Sequence, residues 1–227
     1  MTLMTDVRHE HAPQRWETNR VEAFSDGVFA IAITLLVLEI KLAPSDFEHL
    51  GRALVDEWPA YLAYVTSFLT VGSVWIAHHD LFTRLRYIDP MMLRLNLLLL
   101  MAAAFLPFPT AVLAQAFDAS DRAERVAVAF YGLTALVIEL LLRAFVRYAA
   151  SQPELAFAHA ADIPAPTPAR QRGWRAALSS MFYGLAILVG LFVLPKLAAA
   201  CYLAVAVRGV FVVGGQGRLS LRWLGTR

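Results

Sequence analysis

Residues 20–40 read Arg20-Val21-Glu22-Ala23-Phe24-Ser25-Asp26-Gly27-Val28-Phe29-Ala30-Ile31-Ala32-Ile33-Thr34-Leu35-Leu36-Val37-Leu38-Glu39-Ile40, an apolar run entered through a polar, charged head. An α-helix rises 1.5 Å per residue, so about 20 such residues cross the ~30 Å hydrocarbon layer of a bilayer. A polar stretch precedes the run and no small-residue cleavage site follows it, so it reads as a retained span and not as a signal peptide. Working outward, apolar runs of similar length give six expected spans. They cover approximately Val21–Ile40, Trp58–Ala77, Leu95–Ala114, Val126–Leu142, Ala176–Pro195 and Leu197–Val213.

The composition agrees. Of 227 residues, 59% are apolar and 17% charged, against roughly 45–50% and ~25% in soluble domains. That surplus is too large for one aqueous core. A net charge of +2 excludes the concentrated basic face of a nucleic-acid binder. The single cysteine, Cys201, excludes a disulfide framework or a paired-cysteine metal site, and it reads as a small core residue. The connector 151–173, with Pro153, Pro164, Pro166 and Pro168, reads as an exposed linker.

Lys and Arg alternate in abundance from loop to loop. Arg8, Arg15 and Arg20 precede the first span; Arg84, Arg86 and Arg94 follow the second; Arg143, Arg147, Arg170, Arg172 and Arg175 follow the fourth; Arg208, Arg218, Arg222 and Arg227 lie at the end. The opposite loops hold only Lys41, Arg52, Arg122, Arg125 and Lys196. Because cytoplasmic loops retain basic residues, this bias predicts that both termini are cytoplasmic. The expected fold class is therefore all-α: a polytopic membrane protein with six transmembrane helices. A cytoplasmic segment 1–19 precedes a transmembrane domain 20–213, and a cytoplasmic tail 214–227 follows it.

Charged side chains in a span cost about 2.5–3.5 kcal/mol each on insertion scales, so each needs a partner or a wet cavity. Glu139 and Arg143, four apart in acid-then-base order, can pair on one helix face. Asp26 is harder to place. Glu22 is a like charge on the same face, and Arg20, six residues back, lies about 240° round the helix. Asp26 is therefore expected to take donors from neighbouring helices, where Trp75, His78 and His79 close the second run and Asn96 opens the third.

Arg20-x-x-x-Phe24-Ser25-Asp26-Gly27 heading the first span, Trp75-x-x-His78-His79 ending the second, and Asn96 with Phe105-Leu106-Pro107-Phe108 in the third resemble the endolysosomal potassium channel family (transmembrane protein 175) in its bacterial six-span form. The likeness covers roughly Arg20 to Val213, with distinctive residues only in the first three spans. It implies a homotetramer in a bacterial inner membrane, conducting K⁺ with modest selectivity. The resemblance gives it no cofactor, no nucleic-acid partner and no carbonyl filter loop, and makes lipid and further copies of the chain its partners. It further implies a pore lined by the first helix, with Ile31, Thr34, Leu35 and Leu38 facing the ion path. Arg20, Phe24, Ser25, Asp26, Gly27, Trp75, His78, His79 and Asn96 would form the motif and an inter-helix network. The residues themselves place Gly27, Ile31, Thr34 and Leu38 on one helical stripe, at spacings of four, three and four, a pattern that also suits close helix packing.

Competing readings are weaker. Thr70-Val71-Gly72-Ser73 begins like a carbonyl filter but lacks its aromatic residue and second glycine, and it sits inside an uninterrupted span. His78-His79-Asp80 puts adjacent imidazoles about 100° apart, which does not make a metal-ligand pair or an enzyme site. Glu39 reads either as a cation-concentrating group near the outer mouth or as a salt bridge to Lys41. Histidines near the inner face are candidates for pH sensing. A proton-coupled or small-cation secondary transporter is the alternative function, since intramembrane Asp26 and His78 suit a proton relay. Against it, the chain shows no internal repeat and no paired broken helices.

Overall fold

The computed structural model describes residues 16–117, 119–155, 181, 184–190 and 195–214. In chain order these form β1 (Trp16–Glu17), α1 (Thr18–Leu35) running into a 3-10 turn (Leu36–Glu39), a second 3-10 segment (Pro44–His49), α2 (Leu50–Asp56) and α3 (Trp58–Phe82). There follow β2 (Tyr87–Ile88), α4 (Pro90–Phe105), α5 (Pro107–Ala116), α6 (Asp121–Ala150), a helical stretch α7 over 184–190 and α8 (Pro195–Gly214). Among the described residues, four helical stretches are long and apolar enough to cross a membrane: Thr18–Glu39, Trp58–Phe82, Pro90–Ala116 and Asp121–Ala150. The expected fifth run, Ala176–Pro195, lies largely outside the described residues, as do the 156–173 part of the linker and residues 215–227 of the tail.

Several elements differ from the sequence expectation. The chain is predominantly helical but not purely so, because Trp16–Glu17 pairs antiparallel with Tyr87–Ile88. The first span keeps α-helical geometry only to Leu35 and tightens into the 3-10 turn that carries Leu38. The third breaks at Leu106 because Pro107 has no N–H to give the Ala103 carbonyl, and the Leu106 N–H takes that carbonyl instead, at 3.2 Å. Just beyond the break, the Thr110 hydroxyl and N–H both donate to the Leu106 carbonyl, at 2.8 and 3.1 Å. The fourth is longer at both ends, with Ser120 as N-cap accepting from the Ala123 N–H. By contrast, α3 is one helix through Thr70–Ser73, whose hydroxyls bond back to the Thr66 and Thr70 carbonyls. That stretch contains no filter-like loop.

The core forms where α1, α5, α6 and α8 gather round α3, with α4 packed on α1 and α6. Close approach is enforced at two glycines on different crossings. A Cβ at Gly132 would run into the Tyr202 hydroxyl, which donates to the Val128 carbonyl at 3.1 Å, and a Cβ at Gly209 would lie 2.9 Å from Ser73 Cβ. Midway along α3, Ser67 Oγ lies 2.7 Å from Thr110 Oγ1 and 3.1 Å from Tyr131 Oη, joining α3, α5 and α6 through buried hydroxyls. At the end of the bundle nearest the N terminus, Asp89 caps α4 by accepting from the Met92 N–H at 2.7 Å. Its other carboxylate oxygen accepts from the Tyr148 hydroxyl at 2.6 Å. Thr18 donates to the Leu85 carbonyl there, and the Arg86 N–H to the Leu155 carbonyl. One end of four helices is thus clasped through backbone and short side chains.

Candidate functional site

Helix α1 has two dissimilar faces. Ser25, Phe29, Ala32 and Leu36 recur at spacings of four, three and four, and all are buried against the bundle. The opposite stripe, Gly27, Ile31, Thr34 and Leu38, is exposed, with Ile31 at 61% and Leu38 at 62%. Leu35 is also exposed. Apart from its chain neighbours and its own helix backbone, no atom of the described residues lies within 4 Å of where a Gly27 Cβ would stand, so packing against them does not require that glycine.

The buried face is held by a directional chain of hydrogen bonds. Ser25 Oγ donates to the Val21 carbonyl at 2.8 Å, which spends its only proton. It must therefore accept from Asn96 Nδ2, 2.9 Å away. That fixes the amide so that Asn96 Oδ1 faces His78 Nε2, also at 2.9 Å, and His78 donates there. Among the described residues its Nδ1 has no hydrogen-bond partner. The fully buried imidazole meets Phe29 edge-on at 5.3 Å and stacks on Phe82 at 4.4 Å, with Phe145 at 6.0 Å. The relay thus begins in an aromatic enclosure and ends on the α1 backbone.

Beside this relay lies a more open ladder. Trp75 Nε1 donates to Asp26 Oδ1 at 2.9 Å, and His79 Nδ1 lies 3.1 Å from Glu22 Oε1. Trp75 and His79, four apart on α3, stack on each other at 5.9 Å and face Glu22 and Asp26, four apart on α1. Adjacent residues on a helix point about 100° apart, so Ser25 and Asp26 turn to different partners, as do His78 and His79. The donor expected for Asp26 from a neighbouring helix is Trp75, and it is Ser25 that bonds Asn96 and lies on the His78 side. Arg20 and Phe24 are exposed, and neither has a side-chain hydrogen bond among the described residues. Sequence reasoning missed the enclosing Phe29, Phe82 and Phe145, whose only signal was aromatic residues recurring within the apolar runs.

Two further side chains bear on the exposed stripe. Thr34 Oγ1 donates to the Ile31 carbonyl at 2.9 Å, so its free valences are lone pairs directed away from the helix backbone. Glu39 accepts from Lys41 at 3.3 Å, and Glu139 from Arg143 at 2.7 Å. Among the described residues no group of three or more His, Cys, Asp and Glu side chains is placed to hold a metal ion.

The family model described as "Endosomal/lysosomal potassium channel TMEM175" matches residues 20–107, the stretch containing both the relay and the ladder. A potassium channel of Streptomyces collinus is 43% identical over 185 residues, covering 81% of this chain and 87% of the relative. The chain belongs to the TMEM175 family. A crystal structure of a lysosomal potassium-selective TMEM175 homologue from Chamaesiphon minutus superposes with a TM-score of 0.72 at 33% identity, covering 86% of this chain and 97% of that one. The mouse endosomal/lysosomal proton channel TMEM175 is 45% identical over 106 residues, which make up 43% of this chain and 21% of that protein. TMEM175 is a family of ion channels, not of enzymes, and its apolar helices make this chain a membrane protein.

Proposed function

We propose that this chain is a weakly selective, leak-type potassium channel of a bacterial inner membrane. In this reading it crosses the membrane six times with both termini cytoplasmic, four copies surround one pore, and the exposed stripe of α1 lines it. The observation that carries the reading is the contrast on α1. This helix has the smallest buried share of the four spans, 22% of its apolar window against 61% for Pro90–Ala116, yet its buried face carries the hydrogen-bonded anchors. A span so firmly held on one side and so bare on the other is suited to face other copies of itself. One such helix cannot enclose a path, so the reading requires an oligomer.

A fully dehydrated ion in a ring of Ile31 or Leu38 would face a prohibitive desolvation cost. The ring must therefore either close by dewetting or widen to pass partly hydrated ions. Four Thr34 hydroxyls, their protons committed to the helix backbone, would offer lone pairs in place of lost water oxygens. K⁺ releases its shell more readily than Na⁺, so the preference is modest and sits in Thr34 between two apolar rings. The relay and ladder hold α1 in register and do not themselves touch the ion.

The test is the reversal potential of the purified protein in bilayers under bi-ionic K⁺/Na⁺ conditions, for the wild type, Leu38→Ala and Ile31→Asn. A positive preference for K⁺ that weakens in both variants supports the assignment, whereas unchanged reversal potentials in both overturn it. Unitary currents separate this function from a proton-coupled carrier, which gives none.

A further inference from the structure

The connection between α1 and α3 is not a plain loop. Residues Pro44–His49 form a 3-10 segment that leads directly into α2, and no residue of either is buried. Its side chains are nevertheless sorted. Phe47, Leu50, Leu54 and, at the start of α3, Trp58 recur at spacings of three, four and four, with Val55 beside them; all are exposed, Phe47 at 65% and Val55 at 71%. Asp46, His49, Arg52 and Asp56 gather instead round a shallow polar depression of about 230 Å³. Arg52 Nε lies 3.6 Å from Asp56 Oδ2 across it. A loop in water has no reason to separate its apolar from its polar side chains in this way.

The tether decides what covers the apolar side. The segment is tied through only four residues to the end of the Thr18–Glu39 span and through Glu57 to the start of Trp58–Phe82. Both spans reach the same membrane boundary there, so a helix this short cannot leave it. An amphipathic helix held at that boundary lies in the interface plane, its apolar face in the acyl chains and its polar face in water. Tryptophan at the junction fits the same depth, since indole rings favour the headgroup level. We propose that Pro44–Trp58 is an interfacial membrane anchor whose Phe47, Leu50, Leu54 and Val55 are immersed in phospholipid acyl chains. The four carboxylates Asp46, Glu48, Asp56 and Glu57 outnumber Arg52, so apolar area and not attraction to anionic lipid drives the contact. Because the segment continues from the turn that carries Leu38, the anchor fixes that end of α1 against the bilayer. The inference does not depend on how α1 is used.

The test is spin labelling of the full chain in phosphatidylcholine vesicles, on a Cys201→Ser background. Labels at Phe47→Cys and Val55→Cys are expected to relax strongly with oxygen and severalfold less with a water-soluble nickel chelate. Labels at His49→Cys and Arg52→Cys should show the reverse. Nickel accessibility at all four positions overturns the proposal. Exclusion of both reagents at 47 and 55, with spin–spin broadening that disappears on mixing with unlabelled chain, also overturns it by placing a second copy on this face. Should Phe47→Cys fail to fold, Leu54→Cys gives the same reading.

Discussion

The two faces of α1 invert the usual relation between polarity and role. On the buried face a serine, linked through an asparagine to a histidine, makes contacts that never meet solvent. The exposed face bears isoleucine, leucine and a single threonine. In a soluble protein the polar residues would face water and the apolar ones the core. In a bilayer, helix association gains little from burying apolar surface, because lipid is as apolar as a leucine side chain. Packing geometry and hydrogen bonds therefore do the holding, and apolar side chains are left free to face lipid, another subunit or a path.

The largest effect on stability is expected for Phe29→Ala. The ring is 1% exposed and meets His78 edge-on at 5.3 Å. Its removal opens a cavity beside an imidazole whose Nδ1 already lacks a partner among the described residues. A loss of roughly 3 kcal/mol, near the low end for buried aromatic truncation, follows because the transfer contribution is small in lipid. Thermal aggregation of the detergent-solubilised protein should fall by many degrees. A shift as small as that of an exposed residue would mean that the two faces are not energetically distinct.

Asn96→Ala comes next. Among the described residues it removes the only group that bonds both Ser25 and His78, and it leaves a buried imidazole N–H unpaired. Stranding a buried donor costs about 1–3 kcal/mol. Asn96→Asp keeps both positions occupied but replaces the Nδ2 donor by an acceptor facing Ser25. Its stability is expected to lie between wild type and Asn96→Ala when measured by the same thermal assay. Ile31→Ala, on the other face, should change the stability of a single folded chain by no more than about 0.5 kcal/mol. Its consequence should appear in bi-ionic reversal potentials instead. Equal destabilisation by Ile31→Ala and Phe29→Ala would erase the distinction between anchor and stripe.

Much of this was legible in the residues, for identifiable reasons. Apolar run length located the four described spans, because hydrocarbon thickness sets the length whatever the packing. The need for a donor from another helix at Asp26 followed from helix angles alone. Choosing among Trp75, His78 and Asn96 did not, because a relative rotation of α1 and α3 by one residue exchanges the partners of Ser25 and Asp26. The Ser67–Thr110–Tyr131 cluster escaped notice for a related reason: its members lie on three helices far apart in sequence, and each alone reads as a tolerated hydroxyl. The sorted side chains of Pro44–Asp56 were hidden because the segment is too short to form a hydropathy peak. The 3-10 ending of α1 left no local signature at all in Leu36-Val37-Leu38.

Among the hydrogen-bonded anchors the smallest effect is expected for Asp26→Asn, and it tests the ladder against the relay. Asp26 is only partly buried, and it contributes one acceptor oxygen to the Trp75 indole N–H. An asparagine carbonyl supplies the same acceptor in the same place, so what changes is the charge. A partly exposed carboxylate is substantially solvated, and its interaction with the indole exceeds that of a neutral carbonyl by only a fraction of the strength of one hydrogen bond, itself about 0.5–1.5 kcal/mol net. The nearby Glu22, a like charge one turn away, is relieved of repulsion, which offsets part of that loss. Thermal stability should therefore shift by less than about 1 kcal/mol, and Trp75→Phe, which deletes the donor and leaves the carboxylate, should cost more. If Asp26→Asn proves as damaging as Asn96→Ala while Trp75→Phe is mild, then the charge of Asp26 has a partner other than the indole. That partner would then lie outside the hydrogen bonds of the described residues, where Trp75 is the donor to Asp26.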